Sequence, residues 1–511
     1  MIETKKLQSV SIISIGTRGD IQPYVAIALA LRRELNVSVR LLTNEDHKPF
    51  VESFQNDIKA VPIFGDAEKS MKENPLVVKS QADGDAAAFF KAVAIGAKKD
   101  AGKACANFLQ EMKTHRPDLL ICGTLTEYYE LYASTALKVP TMKISLNLLS
   151  PNPKRAPFGL PTLPFGLHDY LLFTVMGGEI VKSWNYNDDA MEALPGGQRI
   201  MDGIDLKAMK HMAFHPDLPQ VVCRSPMFQP IFNPGIDEKF KFVGAAIVEK
   251  QYEMKHSASF GGNNDIFDVL TKFIDADPSR KPVYMGWGSM TCKSPEHMVV
   301  LATDALRKSK QRGIILGGWA QLSQSVLEKS TEDADLIEYA NKNILFVDKA
   351  PHEWLLPKTA AAVHHGGAGT TNASMRSGVP TIITPVFTDQ FDNAYLVEQL
   401  GVGVGFSKQF QKVSVDELAS AIETVTSKDG DYSDKAKELS EKILQEGGAS
   451  AVASQVESFW SECVTTGLWD KRTAKLLKKE GTEETNKGTK MLAMIGMIGV
   501  LGAVVAHQFM R

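Results

Sequence analysis

The chain has 511 residues, beyond the ~250–300 at which a single hydrophobic core stops growing, so two domains with additions are expected. Its apolar fraction of 44% is that of a globular protein able to build large cores. A net charge of −3 speaks against a nucleic-acid-binding surface. Five cysteines (Cys105, Cys122, Cys223, Cys292, Cys463) without a Cys-x-x-Cys spacing suggest neither a zinc site nor a disulfide framework, which fits a reducing compartment.

The opening "MIETKKLQSVSIISIGTRGD" carries an apolar run of about seven residues with no small-residue cleavage site behind it, so it reads as a strand rather than a signal peptide. Residues 9–15 are that strand and 23–35 the helix after it. Residues 37–42, 118–122 and 141–145 are further strands with helical stretches between them, an alternation that points to a parallel sheet. Residues 148–167 are rich in Pro, Gly and large apolar side chains and read as a long loop, a kind that usually carries function. Linker chemistry ("PIFNPG", "FGGNND") fills 228–264. A second alternating series then begins: "PVYMGWGSM", "RGIILGGWA", "NILFVDKAPHEWLLP", "TAAAVHHGGAGTT" and "VPTIITPVF". Residues 450–465 read as a helix that crosses back to the first domain, and 470–490 as a charged tether. Residues 491–506, "MLAMIGMIGVLGAVVA", carry no charge. A crossing takes roughly 17–25 residues; Lys487, Lys490 and Arg511 could extend this run by snorkelling, so it reads as a tail anchor or else as a buried or interfacial helix.

The stretch "VHHGGAGTTNASMRSGVPTIITPVFTDQFDNA" holds the strongest chemical signal. After Val363, the absence of side chains at Gly366, Gly367 and Gly369 lets backbone N–H groups approach a ligand, and Thr370 and Thr371 open a helix whose start favours anions. These parts suit a diphosphate, to which His364 or His365 adds a donor; a purely structural turn has the same parts. Asp389 and Gln390 end the next strand, in the crevice that neighbouring strand ends share in a doubly wound sheet, and both suit sugar hydroxyls. Phosphate on one loop and a polyol reader on the next suggest a nucleotide sugar. No P-loop occurs, "GTRGD" lacks the dinucleotide spacing, and Asp275-Ala276-Asp277 and Asp333-Ala334-Asp335 sit in polar stretches away from strand ends, so no metal site is expected.

Taken together, these residues resemble the donor signature of family 1 glycosyltransferases of the GT-B fold, and closely the sterol 3-beta-glucosyltransferase branch with its bacterial antibiotic-glycosylating relatives. "SIGTRGDIQPYVAIALAL", "PVYMGWGSM" and "APHEWLLP" are similar to three further motifs of that branch, in the same order. The resemblance implies an α/β GT-B fold of two facing Rossmann-like doubly wound domains, here with a C-terminal hydrophobic helix added. It implies inverting transfer of glucose from UDP-glucose to the hydroxyl of a sterol or other lipophilic acceptor, with no cofactor and no essential metal. Asp20 matches the family's base or the group that orients it; its other reading is a helix cap. Arg18 is a crevice neighbour. On the donor side His364 matches the phosphate-binding histidine, Gly366, Gly367, Gly369 and Thr370 the phosphate turn, and Ser289 a second phosphate contact. Asp389 and Gln390 match the sugar readers, Ala350 and His352 the segment flanking uracil and ribose, and Trp319 either lines that side or packs. Asn372 stands where plant members carry a ribose-binding Glu, and Thr17-Arg18-Gly19-Asp20 replaces their histidine base.

The expected organisation is an acceptor-binding domain at 1–235, a linker at 236–264, a nucleotide-sugar-binding domain at 265–450, a crossing helix at 451–469, a tether at 470–490 and a membrane-spanning tail at 491–510. The partners expected are a nucleotide sugar, a lipophilic acceptor and a membrane, with the catalytic domains cytosolic and no nucleic acid bound. A nucleotide-sugar epimerase and a non-catalytic nucleotide-sugar-binding protein are the alternatives.

Overall fold

A computed structural model describes residues 6–54, 58–172, 218–255 and 264–476. The expected tail at 491–510 and tether residues 477–490 lie outside the described residues, as does part of the stretch "HDYLLFTVMGG". Among the described residues no helix is long and apolar enough to cross a membrane.

Two parallel sheets form the frame. The first holds β1 (Ser9–Ile13), β2 (Ser38–Asn44), β3 (Lys59–Phe64), β4 (Leu119–Cys122), β5 (Thr141–Ser145), β6 (Gln220–Val222) and β7 (Phe240–Phe242), in the order β3-β2-β1-β4-β5-β6-β7. The second holds β8 (Val283–Gly286), β9 (Gly313–Leu316), β10 (Ile344–Val347), β11 (Ala362–His364), β12 (Thr381–Ile383) and β13 (Gly403–Gly405), in the order β10-β9-β8-β11-β12-β13. Helices cover both faces of strands such as β1, where Val10, Ile12 and Ile13 are all buried. That is why burial runs unbroken along β1, through Ser11 as well, and does not alternate. Each sheet reverses its strand order once, between β1 and β4 and between β8 and β11. A crevice opens beyond the carboxyl strand ends at such a point.

Helix α1 spans Arg18–Leu35, so Pro23 lies inside it rather than at its start. The earlier start comes from capping: Thr17 is the N-cap, and its backbone N–H is bonded by Asp20 in the first turn. The first sheet also reaches further than expected. β7 pairs with β6 in register (Gln220 with Phe240, Val222 with Phe242), inside the stretch read as a linker. Three residues of "FKF" are too few to show a pattern on their own.

Later helices position the site. α2 (Ala368–Arg376) follows β11 and packs against α1. α3 (Asp389–Gln399) follows β12. α4 (Gly448–Phe459) returns to the first domain, where Val452, Val456 and Phe459 share a core with Tyr24, Ala28 and Leu31 of α1. The domains also touch directly: Phe89 stacks on Phe387 with ring centroids 5.0 Å apart, and Gln409 Nε2 donates to the Gly84 carbonyl at 2.6 Å.

Candidate active site

The first domain brings Asp20 to the crevice. Its Oδ2 accepts from the Thr17 backbone N–H at 2.8 Å and from Thr17 Oγ1 at 3.1 Å, so Asp20 does cap α1. Only that oxygen is used; Oδ1 takes no bond among the described residues. A helix start favours the ionised form, yet the pKa of Asp20 is raised: although the side chain is exposed to the crevice, the protein packed around it desolvates the carboxyl against the opposing pull of Thr17 and His47. His47, held by its Nε2 to the Gly16 carbonyl at 2.9 Å, is a neighbour that no local motif marked. Arg18 lies with its guanidinium 3.2 Å from the centre of the Phe50 ring and feels Glu253, which places it in the domain wall beside Asp20.

The second domain supplies the glycine turn. Gly366 has φ +90, and a Cβ there would come within 2.6 Å of Ile383 Cγ2, so glycine is required by the fold itself. Gly367 is the N-cap of α2, and its carbonyl accepts from Thr371 N at 2.9 Å. Gly369 differs: it is exposed and a Cβ would meet nothing within 4 Å. Thr370 beside it is partly exposed.

The two histidines divide their work in a way the sequence does not show. His364 is wholly buried. Its Nδ1 accepts from Gly366 N at 3.0 Å and its Nε2 meets Ser374 Oγ at 3.3 Å, so the residue matched to phosphate has both ring nitrogens engaged internally. Burial pushes its pKa well below the ordinary value and keeps it neutral. His365 is partly exposed, its Nδ1 has no partner among the described residues, and it lies beside Gly367 and the Gly288 turn. Burial lowers its pKa to about 4, so it too is neutral at pH 7 and offers one N–H.

Beside that turn, Ser289 is partly exposed with a hydroxyl unpartnered among the described residues, and its carbonyl accepts from Gln81 Nε2 of the first domain at 3.3 Å. Ala350 packs into a core with Val347 and Leu355, and His352 is bonded to the Tyr284 hydroxyl at 2.9 Å. Their side chains therefore help hold the segment. Trp319 sits under the Lys72 ammonium of the first domain at 5.3 Å.

Asp389 opens α3 behind Thr388, whose φ of +44 is a strained conformation for a branched residue. Thr388 Oγ1 donates to Asp389 Oδ1 at 3.1 Å. Burial first, then the charges of Asp392 and Asp20, raise the Asp389 pKa to about 6, while Thr388 and Arg224 pull it down. The Asp20 charge is the smallest of these influences; α1, which carries Asp20, packs against α2 of the second domain. Gln390 is largely committed: its side-chain oxygen accepts from Val386 N at 2.7 Å and Phe387 N at 3.0 Å, and its Nε2 donates to Met290 Sδ at 3.8 Å, which leaves one amide N–H for a sugar.

Sequence reasoning missed the residues that join the halves. Arg224, after β6, donates to Asn147 Oδ1 at 2.8 Å and to Asn393 Oδ1 at 3.2 Å. Asn393 Nδ2 donates in turn to the Gly366 carbonyl at 2.8 Å. Arg155 in the 148–167 loop donates to Asp392 Oδ1 at 2.6 Å. One signal was available: Asp392 and Asn393 follow Asp389 by three and four residues, the spacing of one helix face.

Two parallel sheets that face each other across such a crevice, with a glycine turn and helix start on one side and an acidic helix start on the other, have the architecture of GT-B glycosyltransferases. The Glycosyltransferase family 28 N-terminal domain matches residues 10–105, and the Erythromycin biosynthesis protein CIII-like, C-terminal domain matches 316–459. The sterol 3-beta-glucosyltransferase of Saccharomyces cerevisiae is 27% identical over 469 residues, covering 89% of this chain and 35% of that protein. The enzyme of that name from Komagataella phaffii is also 27% identical, covering 88% and 34%. The chain thus spans about a third of the length of these relatives. Among solved structures, the glycotransferase of kitacinnamycin aligns with a TM-score of 0.61 at 17% identity, covering 89% of this chain and all of that one. The calicheamicin glycosyltransferase aligns at 0.58 and 16%, covering 89% and 99%. The chain has the GT-B fold, carries stretches that match two glycosyltransferase domain families, and is similar to sterol 3-beta-glucosyltransferases.

Proposed function

We propose that this protein is an inverting glycosyltransferase that moves glucose from UDP-glucose to the hydroxyl of a sterol or similar lipophilic alcohol. The observation that carries this reading is the packing of α1, which carries Asp20, against α2 of the second domain, with Asp389 opening α3 beside it. The names of the relatives support the acceptor and the sugar, and a solved neighbour, a glycosyltransferase in complex with dTDP, supports a nucleoside diphosphate.

In the proposed step, Asp20 Oδ1 takes the proton of the acceptor hydroxyl as that oxygen bonds to the sugar C1. The bond from C1 to the diphosphate oxygen breaks on the opposite face, so the configuration inverts. A carboxylate whose pKa is raised is the better proton acceptor, and positioned bases of this kind contribute roughly 10²–10⁴-fold. The leaving diphosphate rests on the α2 start and the turn at Gly367, Gly369 and Thr370. His365 donates to it with His364 as the strut behind, and Ser289 contacts it from the β8 side. Asp389 accepts from sugar hydroxyls, and the backbone near Ala350 and His352 flanks the base and ribose. This arrangement calls on no metal. Residues 491–510 would tether the catalytic domains to the cytosolic face of a membrane, where a lipophilic acceptor is dissolved.

The test is to incubate the full chain with labelled UDP-glucose and a lipid extract and to identify products by mass spectrometry. A lipid alcohol gaining one hexosyl unit, with inverted anomeric configuration, is expected. Conversion of the donor to another nucleotide sugar without transfer would indicate an epimerase, and donor binding without any turnover a non-catalytic protein; either result overturns the proposal.

A further inference from the structure

The 148–167 loop is fastened at two ends to two different domains. Its base belongs to the first domain: Asn233 Nδ2 donates to the Leu148 carbonyl at 3.1 Å, and Asn152 Nδ2 donates to the Ile231 carbonyl at 3.2 Å. Its middle is held by α3 of the second. Arg155 Nη2 and the Phe158 backbone N–H both donate to Asp392 Oδ1, at 2.6 and 3.0 Å. The Arg155 guanidinium lies 4.3 Å from the centre of the Tyr395 ring, and Gly159, at φ +70, lies so close to Phe391 that a Cβ would come within 3.0 Å of that ring. Phe158 itself has φ +62, a conformation a non-glycine residue keeps only when its surroundings hold it.

The ion pair is buried, with side-chain exposures of 16% for Arg155 and 7% for Asp392. Such a pair is poor evidence of net stability, because desolvation offsets the attraction. Losing one partner, however, strands a buried charge. What the pair does supply is position. Asp392 lies one helical turn beyond Asp389, and the two carboxyls share Arg224 as a neighbouring cation. The contact that shuts the loop and the charge balance around Asp389 are therefore set on the same turn of α3.

We propose that Arg155 and Asp392 form an interdomain clasp through which the donor-side helix holds the 148–167 loop closed over the crevice, making both of them positioning residues for the acceptor. The acceptor part rests on the transferase reading; the clasp itself does not.

The experiment compares the full chain with Arg155→Gln, Asp392→Asn and the double variant. Three readouts are taken: chymotrypsin cleavage within residues 156–163, KM for acceptor and for UDP-glucose separately, and UDP affinity. Each single variant should be cleaved at least about tenfold faster and should raise the acceptor KM roughly tenfold. In Arg155→Gln, donor KM and UDP affinity should stay within about twofold. The double variant, which buries no lone charge, should recover part of the loss. Arg155→Lys, keeping the charge without the planar fork, supplies the intermediate case should Arg155→Gln fold poorly. Folded single variants with wild-type cleavage and wild-type acceptor KM would overturn the clasp. A wild-type chain that forms no glycoside while the variants still differ in cleavage would overturn the transferase reading alone.

Discussion

Asn393 donates its side-chain amide to the Gly366 carbonyl at 2.8 Å while its own oxygen accepts from Arg224 at 3.2 Å. A first-domain arginine thereby braces the turn on which the second domain would hold a diphosphate. Replacing Asn393 with Leu keeps the volume, leaves that buried carbonyl unpaired and cuts the link to Arg224. An unmade buried hydrogen bond costs about 1–3 kcal/mol. UDP affinity, measured by calorimetry on the folded variant, should fall roughly tenfold; an unchanged affinity would show that the brace does not bear on the nucleotide.

The glycines of the turn separate what the fold needs from what a ligand needs. Gly366 has no room for a Cβ and sits at φ +90, so Gly366→Ala should destabilise the protein by about 2–4 kcal/mol, visible as a lowered denaturation midpoint. Gly369 has open space and no positive φ. Gly369→Ala should leave stability within about 0.5 kcal/mol and yet weaken UDP binding if the diphosphate lies against that backbone. Equal loss of stability at both positions would assign both glycines to folding alone.

This contrast also marks how far the sequence could be read. The second sheet was legible because β8 to β12 are apolar runs, of which β8, β9 and β11 end in glycine-rich turns, and the crevice followed from their alternation with helices. The edges β7 and β13 were not: "FKF" and "GVG" are not apolar runs and are too short for a period to register. Pro23 misdirected the start of α1 because a proline usually marks a first turn, whereas Thr17 and Asp20 had already begun it. The motif named the glycine turn, Asp20 and Asp389 by position. It could not say that His364 faces inward and His365 outward, since adjacent residues differ only by the direction the backbone gives them. Arg155 and Arg224 were invisible because their partners lie 237 and 169 residues away.

Asp389 should give opposite signs in two measurements. Its folded pKa of about 6 lies above the ordinary carboxyl value of roughly 3.9. The folded protein therefore keeps this proton between about pH 4 and 6 while the unfolded chain has lost it, so the stability it contributes is present at low pH and is lost as pH rises through that window. At pH 7.5 the ionised group is a net cost, and Asp389→Asn should raise Tm by about 1–3 °C. Activity should behave in reverse, because an ionised acceptor is needed for sugar hydroxyls. In the wild type kcat/KM should fall as pH drops below about 6, and in Asp389→Asn it should be at least about 10²-fold lower throughout. A variant that loses both stability and activity would assign Asp389 to the fold.

On the proposed mechanism Asp20 serves two purposes through two oxygens, and one substitution separates them. Oδ2 caps α1 through Thr17, and an asparagine oxygen can accept the same two bonds. Asp20→Asn should therefore fold with Tm unchanged or slightly raised, since the charged form is the one its surroundings disfavour. UDP affinity should stay at the wild-type value, because the proposed nucleotide contacts lie on the other domain. The amide cannot take a proton from the acceptor hydroxyl, so kcat should fall by about 10²–10⁴-fold with little change in donor KM. Asp20→Ala removes the cap as well and should add a loss of about 0.5–2 kcal/mol in stability to the same loss of turnover. If Asp20→Asn turned over at the wild-type rate, Asp20 would be a helix cap and nothing more, and the base would have to be sought among its neighbours, beginning with His47.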